Sequence, residues 1–327
     1  MTPDVAPVTG PSPEQFAGDS PAQVSRRLFN AMRPKFFPAS VLPVLAGSAW
    51  GFMIAGQFDL PIFLLALLAT VCVHFGANVL NDVGDESGGT DRQNEDRIYP
   101  YTGGSRFIQT GIMSASGMAR LGISLLAVAA IAGMLLLYNK GAMVLWFGLA
   151  GVLLAVLYSL GPIRLASIGL GEIAVGVAFG LPVVGAAWLQ SGVIDVDVIL
   201  FALPIAAWVT AILLINEVPD INADGATGKR TLPVRLGLSG TSVLYLVLHL
   251  TAVGAAIWLT ARGGLPLLAP LVPVALLTLA WKASQGIRQG IADRPGMTKA
   301  IELTLGIQAI GSIWLAGCAL FVLFFSS

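Results

Sequence analysis

The sequence predicts an all-α polytopic membrane protein, and three observations predict it. Hydrophobic residues make up 56% of the 327 and charged residues only 11%, with a mean hydropathy of +0.81, whereas a soluble domain carries about 25% charged residues. Apolar runs of about twenty residues, the length that crosses a bilayer as a helix, recur along the chain. Lys and Arg concentrate in alternate connections between those runs, as the positive-inside rule requires.

Residues 1 to about 25 are rich in Pro, Ser, Gly, Ala and Gln and lack the apolar core of a signal peptide. They are expected to form a disordered tail, with residues 26–327 as a single transmembrane domain. The basic segment SRRLFNAMRPKFF follows, and its composition predicts a short interfacial helix ending near Arg33 and Lys35. Nine spans are then expected, near 37–56, 60–80, 118–138, 142–160, 168–190, 197–216, 240–261, 265–284 and 301–325. Short connections (56–59, 139–141, 191–196, 262–264) alternate with longer polar ones, the longest of which follow the second and sixth spans. The N-terminal segment and the even-numbered connections hold sixteen of the 18 basic residues, leaving only Lys140 and Arg262 on the other side. The N-terminus and polar loops are therefore expected in the cytoplasm and the C-terminus outside, across a bacterial inner membrane. Pro43, Pro182, Pro204 and Pro273 inside spans are tolerated as kinks or close contacts.

Several function classes lose support here. The 18 basic and 18 acidic residues cancel, so net charge points to no partner, and no nucleic acid is expected. Cys72 and Cys318 lie in apolar runs and offer neither a supported disulfide nor a metal set. His74 and His249 also lie in apolar runs and are expected to be packed and hydrogen-bonded.

The chemistry is concentrated in two polar stretches directly after the second and sixth spans, NVLNDVGDESGGTD (78–91) and NEVPDINADGATGKR (216–230). In the first, Asn78, Asp82 and Asp85 stand at i, i+4 and i+7; in the second, Asn216, Asp220 and Asp224 stand at i, i+4 and i+8. Either spacing places three side chains on one helical face. Matching positions after spans two and six also point to an internal repeat of about four helices. Glu86, Glu95 and Asp96 are expected to be ordinary solvated loop acids. Clustered carboxylates at span ends need a cation. Mg2+ suits carboxylate and amide oxygens and is shared with substrate phosphates, which matches departure of a diphosphate aided by basic side chains. Arg33, Lys35, Arg92, Arg97, Arg106, Arg164, Lys229 and Arg230 supply such cations. A diphosphate handled at the mouth of a membrane bundle implies a substrate whose other end belongs in lipid, such as a polyprenyl diphosphate. Its allylic carbocation needs walls, for which Phe75, Tyr158 and Trp208 are available. Paired carboxylates in repeated halves also describe a cation-coupled transporter.

At these residues the sequence resembles the UbiA superfamily of intramembrane prenyltransferases. The family's N-x-x-x-D-x-x-D signature is met by Asn78, Asp82 and Asp85, and its D-x-x-x-D signature by Asp220 and Asp224. The resemblance runs from about Arg33 to Gly237, and RPKFFPASVLPVLAG, NDVGDESGGTD, YSLGPIRLASIGLGE and INEVPDINADGATGKRTLPVRLG are similar to the 1,4-dihydroxy-2-naphthoate polyprenyltransferase branch. It implies nine helices around a central cavity, with a cytoplasmic cap formed by the loops after helices two and six. It also implies Mg2+-dependent transfer of a polyprenyl chain to a small aromatic acceptor, with loss of carbon dioxide in the naphthoate branch. On that resemblance Asn78, Asp82, Asp85, Asp220 and Asp224 hold the metal, the four aspartates carry catalysis, and Arg33, Asn81, Arg106, Tyr158, Arg164, Asn216 and Lys229 contact diphosphate or acceptor. Other acceptors handled by the family (4-hydroxybenzoate, homogentisate, a porphyrin or a glycerol phosphate) stay open. One departure stands out: many members place Lys four or five residues after the Tyr, whereas Arg164 follows Tyr158 by six.

Overall fold

The computed structural model describes residues 10–88, 96–159 and 163–325. Arg92 and Glu95, named above, lie outside the described residues. The described chain is mainly helical, with no strand among the described residues: α1 (Pro21–Ala31), α2 (Phe37–Ala55), α3 (Leu60–Gly88), α4 (Ala115–Lys140), α5 (Met143–Ser159), α6 (Gly171–Ser191), α7 (Val196–Asn216), α8 (Ile221–Ala226), α9 (Leu232–Ala261), α10 (Leu271–Gln289) and α11 (Arg294–Phe325). Among the described residues seven helical stretches are long and apolar enough to cross a membrane. The last of them, Leu271–Phe325, contains both α10 and α11, and the apolar helix Met143–Tyr158 is shorter.

Burial sorts these helices into a core and a lipid-facing rim. In its most apolar window α7 is 78% buried, against 22% for α4. Phe201, Ile205, Trp208, Leu214 and Ile215 of α7 sit at the centre of the main apolar cluster, whereas Tyr138 and Trp146 of the α4–α5 corner stand exposed. An apolar surface of that kind is stable only in hydrocarbon. Helices pack in the order α2 on α6, α3 on α4, α6 on α7, α7 on α9 and α10 on α11, with α11 closing back on α2 and α7. The long helix leading into each polar stretch thus packs on the next long helix, α3 on α4 and α7 on α9. Lipid tails are as apolar as Leu, so close backbone approach has to supply the packing energy. At Gly47 an added Cβ would stand 2.1 Å from the Val183 carbonyl oxygen, and at Gly51 2.3 Å from that of Ala187.

The N-terminal boundary expected at residue 25 falls inside α1. Ser20 caps this helix by accepting the Gln23 N–H, and Arg27 holds the preceding turn by donating to the Phe16 and Gly18 carbonyls. Phe16 packs on Phe107 at 4.9 Å between ring centroids. With Ala31, Val79 and Met118 these rings form a small apolar cluster on the back of α3. The expected interfacial helix is thus α1, and the chain breaks at Arg33 before α2.

Candidate active site at the ends of α3 and α7

α3 does not stop where its apolar run stops. It continues through the first polar stretch, so Asn78, Asn81, Asp82 and Asp85 are all helical, with Asn78, Asp82 and Asp85 on one side as their spacing requires. Val79 and Val83 face the other way, against Phe107. That packing fixes the loop after α3 so that the Ser105 N–H donates to Asp82 Oδ2 at 2.9 Å. Asp82 is only 3% exposed, and its Oδ1 is buried without a hydrogen-bond partner among the described residues. Asn81, expected to contact substrate, is exposed and donates from Nδ2 to Asp85 Oδ2 at 2.7 Å.

The second stretch is built differently. α7 ends at Asn216, and the chain restarts as a helix only at Ile221. Pro219 has no N–H to continue the ladder, and its ring clashes with the preceding turn. Asn216, Asp220 and Asp224 therefore do not share one helical face, which their spacing would require only on an unbroken helix. Asp220 stands just before α8 and Asp224 within it, with the Asp224 N–H donating to the Asp220 carbonyl at 2.8 Å. Asp224 is 7% exposed, and its Oδ1 pairs with Lys229 Nζ at 3.3 Å. Asn216 Oδ1 and Glu217 Oε2 are buried without partners among the described residues.

Lys229 brings the two stretches together. Burial works to lower its pKa, but Asp224, Asp85 and Asp220 outweigh burial and the pKa rises, so the ammonium charge is held. Asp85 belongs to α3, and so one cation answers to both motifs. A second link is direct: Asn222 Nδ2 donates to Asp96 Oδ2 at 3.3 Å. Asp96, expected to be a solvated loop acid, is thereby tied to α8, and Arg294 fixes the same segment by donating to the Asp96 and Arg97 carbonyls.

Three arginines complete the surroundings. Among the described residues Arg33 (φ 59°), Arg106 (φ 64°) and Arg164 (φ 41°) are the non-glycine residues with left-handed backbone. That conformation costs a side-chain-bearing residue about 1 kcal/mol or more and is tolerated where the surroundings fix it. Arg33 is held by donating to the Tyr101 carbonyl at 3.0 Å and by lying over the Phe36 ring. Arg106 is 7% exposed, immediately after Ser105. Arg164 is exposed, beside a loop that the Arg230 N–H and the Arg235 side chain bind through the Ser167 and Ile168 carbonyls. Tyr158, at the end of α5, lies within electrostatic reach of Glu217, Glu172, Asp85 and Asp224.

Two groups at this site were not singled out from the sequence. Burial, reinforced by Glu172 of α6 and by Asp224 and Asp220, pushes the Glu217 carboxyl well above the ordinary glutamate range. Tyr101 donates its hydroxyl to Glu302 Oε1 at 2.9 Å and accepts from Lys35 Nζ at 3.2 Å, which ties the first loop to α11. The available signal was acids at span ends, where each needs a partner. Among the described residues no group of three or more His, Cys, Asp or Glu side chains forms a ready-made metal cage.

The pattern of the UbiA prenyltransferase family matches residues 40–295, more than half of the chain. The chain belongs to that family. This UbiA-family protein is an enzyme, a prenyltransferase, embedded in a membrane by its apolar helices. It is similar to the 1,4-dihydroxy-2-naphthoate octaprenyltransferase of Escherichia coli, 34% identical over 66% of this chain and 70% of the relative. It is also similar to UbiA prenyltransferase domain-containing protein 1 of Gallus gallus, 28% identical over 88% of this chain and 84% of the relative. Its fold is that of a UbiA homolog from Aeropyrum pernix, with a TM-score of 0.66 at 19% identity, covering 89% of this chain and 98% of the other. A UbiA homolog from Archaeoglobus fulgidus, bound to GPP and Mg2+, shares the fold with a TM-score of 0.59 at 15% identity, covering 88% of this chain and 99% of the other.

Proposed function

We propose that this prenyltransferase transfers a polyprenyl chain from its diphosphate to 1,4-dihydroxy-2-naphthoate, releasing carbon dioxide. The observation that carries the site assignment is the Lys229–Asp224 ion pair at 3.3 Å, with the charges of Asp85 and Asp220 acting on the same ammonium. The acceptor rests on the similarity to naphthoate octaprenyltransferases.

The residues present fit Mg2+. The donors are hard oxygens from Asn and Asp, and two of them, Asp82 Oδ1 and Asn216 Oδ1, are buried without a partner among the described residues, as groups that await a cation would be. Asp82, Asp85, Asp220 and Asp224, with Asn78, would hold the metal, and a diphosphate would complete its coordination. Bound Mg2+ would offset charge on the departing diphosphate. Arg33, Arg106, Arg164 and Lys229 would bind the phosphate oxygens, their left-handed or buried settings holding them ready before substrate arrives. Tyr158 would line the wall towards the acceptor. Proton abstraction from the ring carbon is unnecessary, because the carboxylate leaves from that carbon. The fold would then comprise nine crossings about a central cavity, with the polar loops as a cytoplasmic cap, the N-terminus inside and the C-terminus outside. The basic residues of those loops support that orientation.

Incubation of the purified protein with Mg2+, geranylgeranyl diphosphate and either 1,4-dihydroxy-2-naphthoate or 4-hydroxybenzoate, followed by product mass, tests this reading. A prenylated naphthoquinol lacking the carboxylate is expected. A prenylated hydroxybenzoate as the sole product would reassign the acceptor. Asp82→Ala and Asp220→Ala should each abolish transfer while the protein still folds, and full activity in either would overturn the metal assignment.

A further inference from the structure

One polar pair inside the bundle is used by nothing above. His74 lies on α3 one turn before Asn78 and two before Asp82, on the side of the helix that carries Asn78 and Asp85. Its Nδ1 is hydrogen-bonded to Ser40 Oγ of α2. Its Nε2 has no hydrogen bond among the described residues. Aromatic rings flank it: Phe179 of α6 stands edge-on at 5.5 Å and 88°, and Phe75 lies 5.9 Å away, itself 6.0 Å from Phe37. Arg33 is the charge that acts on the ring, which places His74 on the diphosphate side of the bundle. His249 shows the same pattern, Nδ1 on the Tyr245 carbonyl and Nε2 without a partner among the described residues, but it lies on α9, which carries neither acidic stretch. At His74 one nitrogen is anchored and the other is left over, inside an aromatic corner below the acidic residues.

We infer that His74 contacts the aromatic acceptor: with Nδ1–H donating to Ser40 Oγ, Nε2 accepts a hydrogen bond from an acceptor hydroxyl, while Phe179 and Phe75 flank the acceptor ring. The inference rests on the reading of the protein as a prenyltransferase of hydroxylated aromatic acids and adds the residue that orients them. A hydroxyl that donates to Nε2 pushes electron density into its ring, which raises the nucleophilicity of the carbon that attacks. That carbon forms a C–C bond to C1 of the prenyl chain as the C1–O bond to diphosphate breaks. The electrons of the carboxylate's C–C bond return to the ring as carbon dioxide leaves. The hydroxyl proton, shared with Nε2 during attack, stays with the product. No oxidant or net proton acceptor is required.

The test is steady-state kinetics of the full chain in proteoliposomes with Mg2+, geranylgeranyl diphosphate and 1,4-dihydroxy-2-naphthoate, for wild type, His74→Ala, His74→Gln and Ser40→Ala. Loss of one hydrogen bond to a reacting hydroxyl should lower kcat/KM for the acceptor about 10- to 100-fold in His74→Ala. The KM for the prenyl diphosphate should stay within about twofold. His74→Gln, which keeps an acceptor atom near the Nε2 position, should recover part of the loss, and Ser40→Ala, which frees the ring to turn, should show a smaller loss of the same kind. If wild type prenylates the naphthoate but His74→Ala leaves acceptor kcat/KM unchanged, or if Gln behaves as Ala with donor and acceptor affected equally, the role of His74 is overturned and the reaction stands. If wild type prenylates no hydroxylated aromatic acid, the reaction itself is overturned and the role falls with it.

Discussion

Lys229 Nζ stands 3.3 Å from Asp224 Oδ1, and the same ammonium is held by the charge of Asp85 on α3. One lysine thus answers to charges of two motifs separated by more than a hundred positions in the chain. Lys229→Met should remove the bridge and one phosphate contact together. We expect kcat/KM for the prenyl diphosphate to fall about 100-fold, the scale of losing one donor aimed at developing charge. The loss in Lys229→Met/Asp224→Asn should be smaller than the sum of the single losses. Additive losses would show that the two side chains act independently.

Arg164 is exposed and sits at φ 41°. Glycine adopts that backbone without the steric cost of a Cβ. Arg164→Gly should therefore leave the melting temperature unchanged or raise it slightly, while transfer falls at least about tenfold through loss of the guanidinium. A variant that is less stable yet fully active would contradict the assignment of Arg164 to substrate binding.

Glu217 gives a pH dependence with a definite sign. Burial, followed by the charges of Glu172, Asp224 and Asp220, raises its folded-state pKa well above the ordinary value. The folded state binds this proton more tightly than the unfolded state, so the associated stability is complete below the ordinary glutamate range. It is lost as pH rises from there through the raised pKa. In EDTA, the melting temperature of wild type should fall across that window more steeply than that of Glu217→Gln. Parallel curves for the two proteins would refute the buried-proton assignment.

Tyr101 separates a structural contact from a substrate contact. Its hydroxyl joins Lys35 to Glu302, whereas Arg33 is held by its backbone carbonyl, which any residue supplies. Tyr101→Phe should destabilise the protein by about 1 kcal/mol with little change in the KM for prenyl diphosphate. Arg33→Ala should do the reverse. Equal effects of both variants on KM would place Tyr101 in the binding site itself.

The sequence by itself determined the class and the family, and it named the candidate site residues. Apolar runs, alternating basic loops and the spacing of Asn78, Asp82 and Asp85 are local properties, legible wherever periodicity and composition dominate. The helix that carries the first motif follows directly from them. Local periodicity failed at Pro219, because a single missing N–H outweighs an i, i+4, i+8 pattern. Nor could it show the partners of Asn81 and Asp96, since these, Asp85 and Asn222, depend on rotamers and on a contact between the first loop and α8. Only the tertiary structure decided that Lys229 feels the charges of both motifs, that Glu172 acts on Glu217 and that three arginines adopt left-handed backbone. Each of these depends on residues far apart in sequence. The energies that decide them, burial of charge and close contact of rigid helices, arise only once the chain has packed.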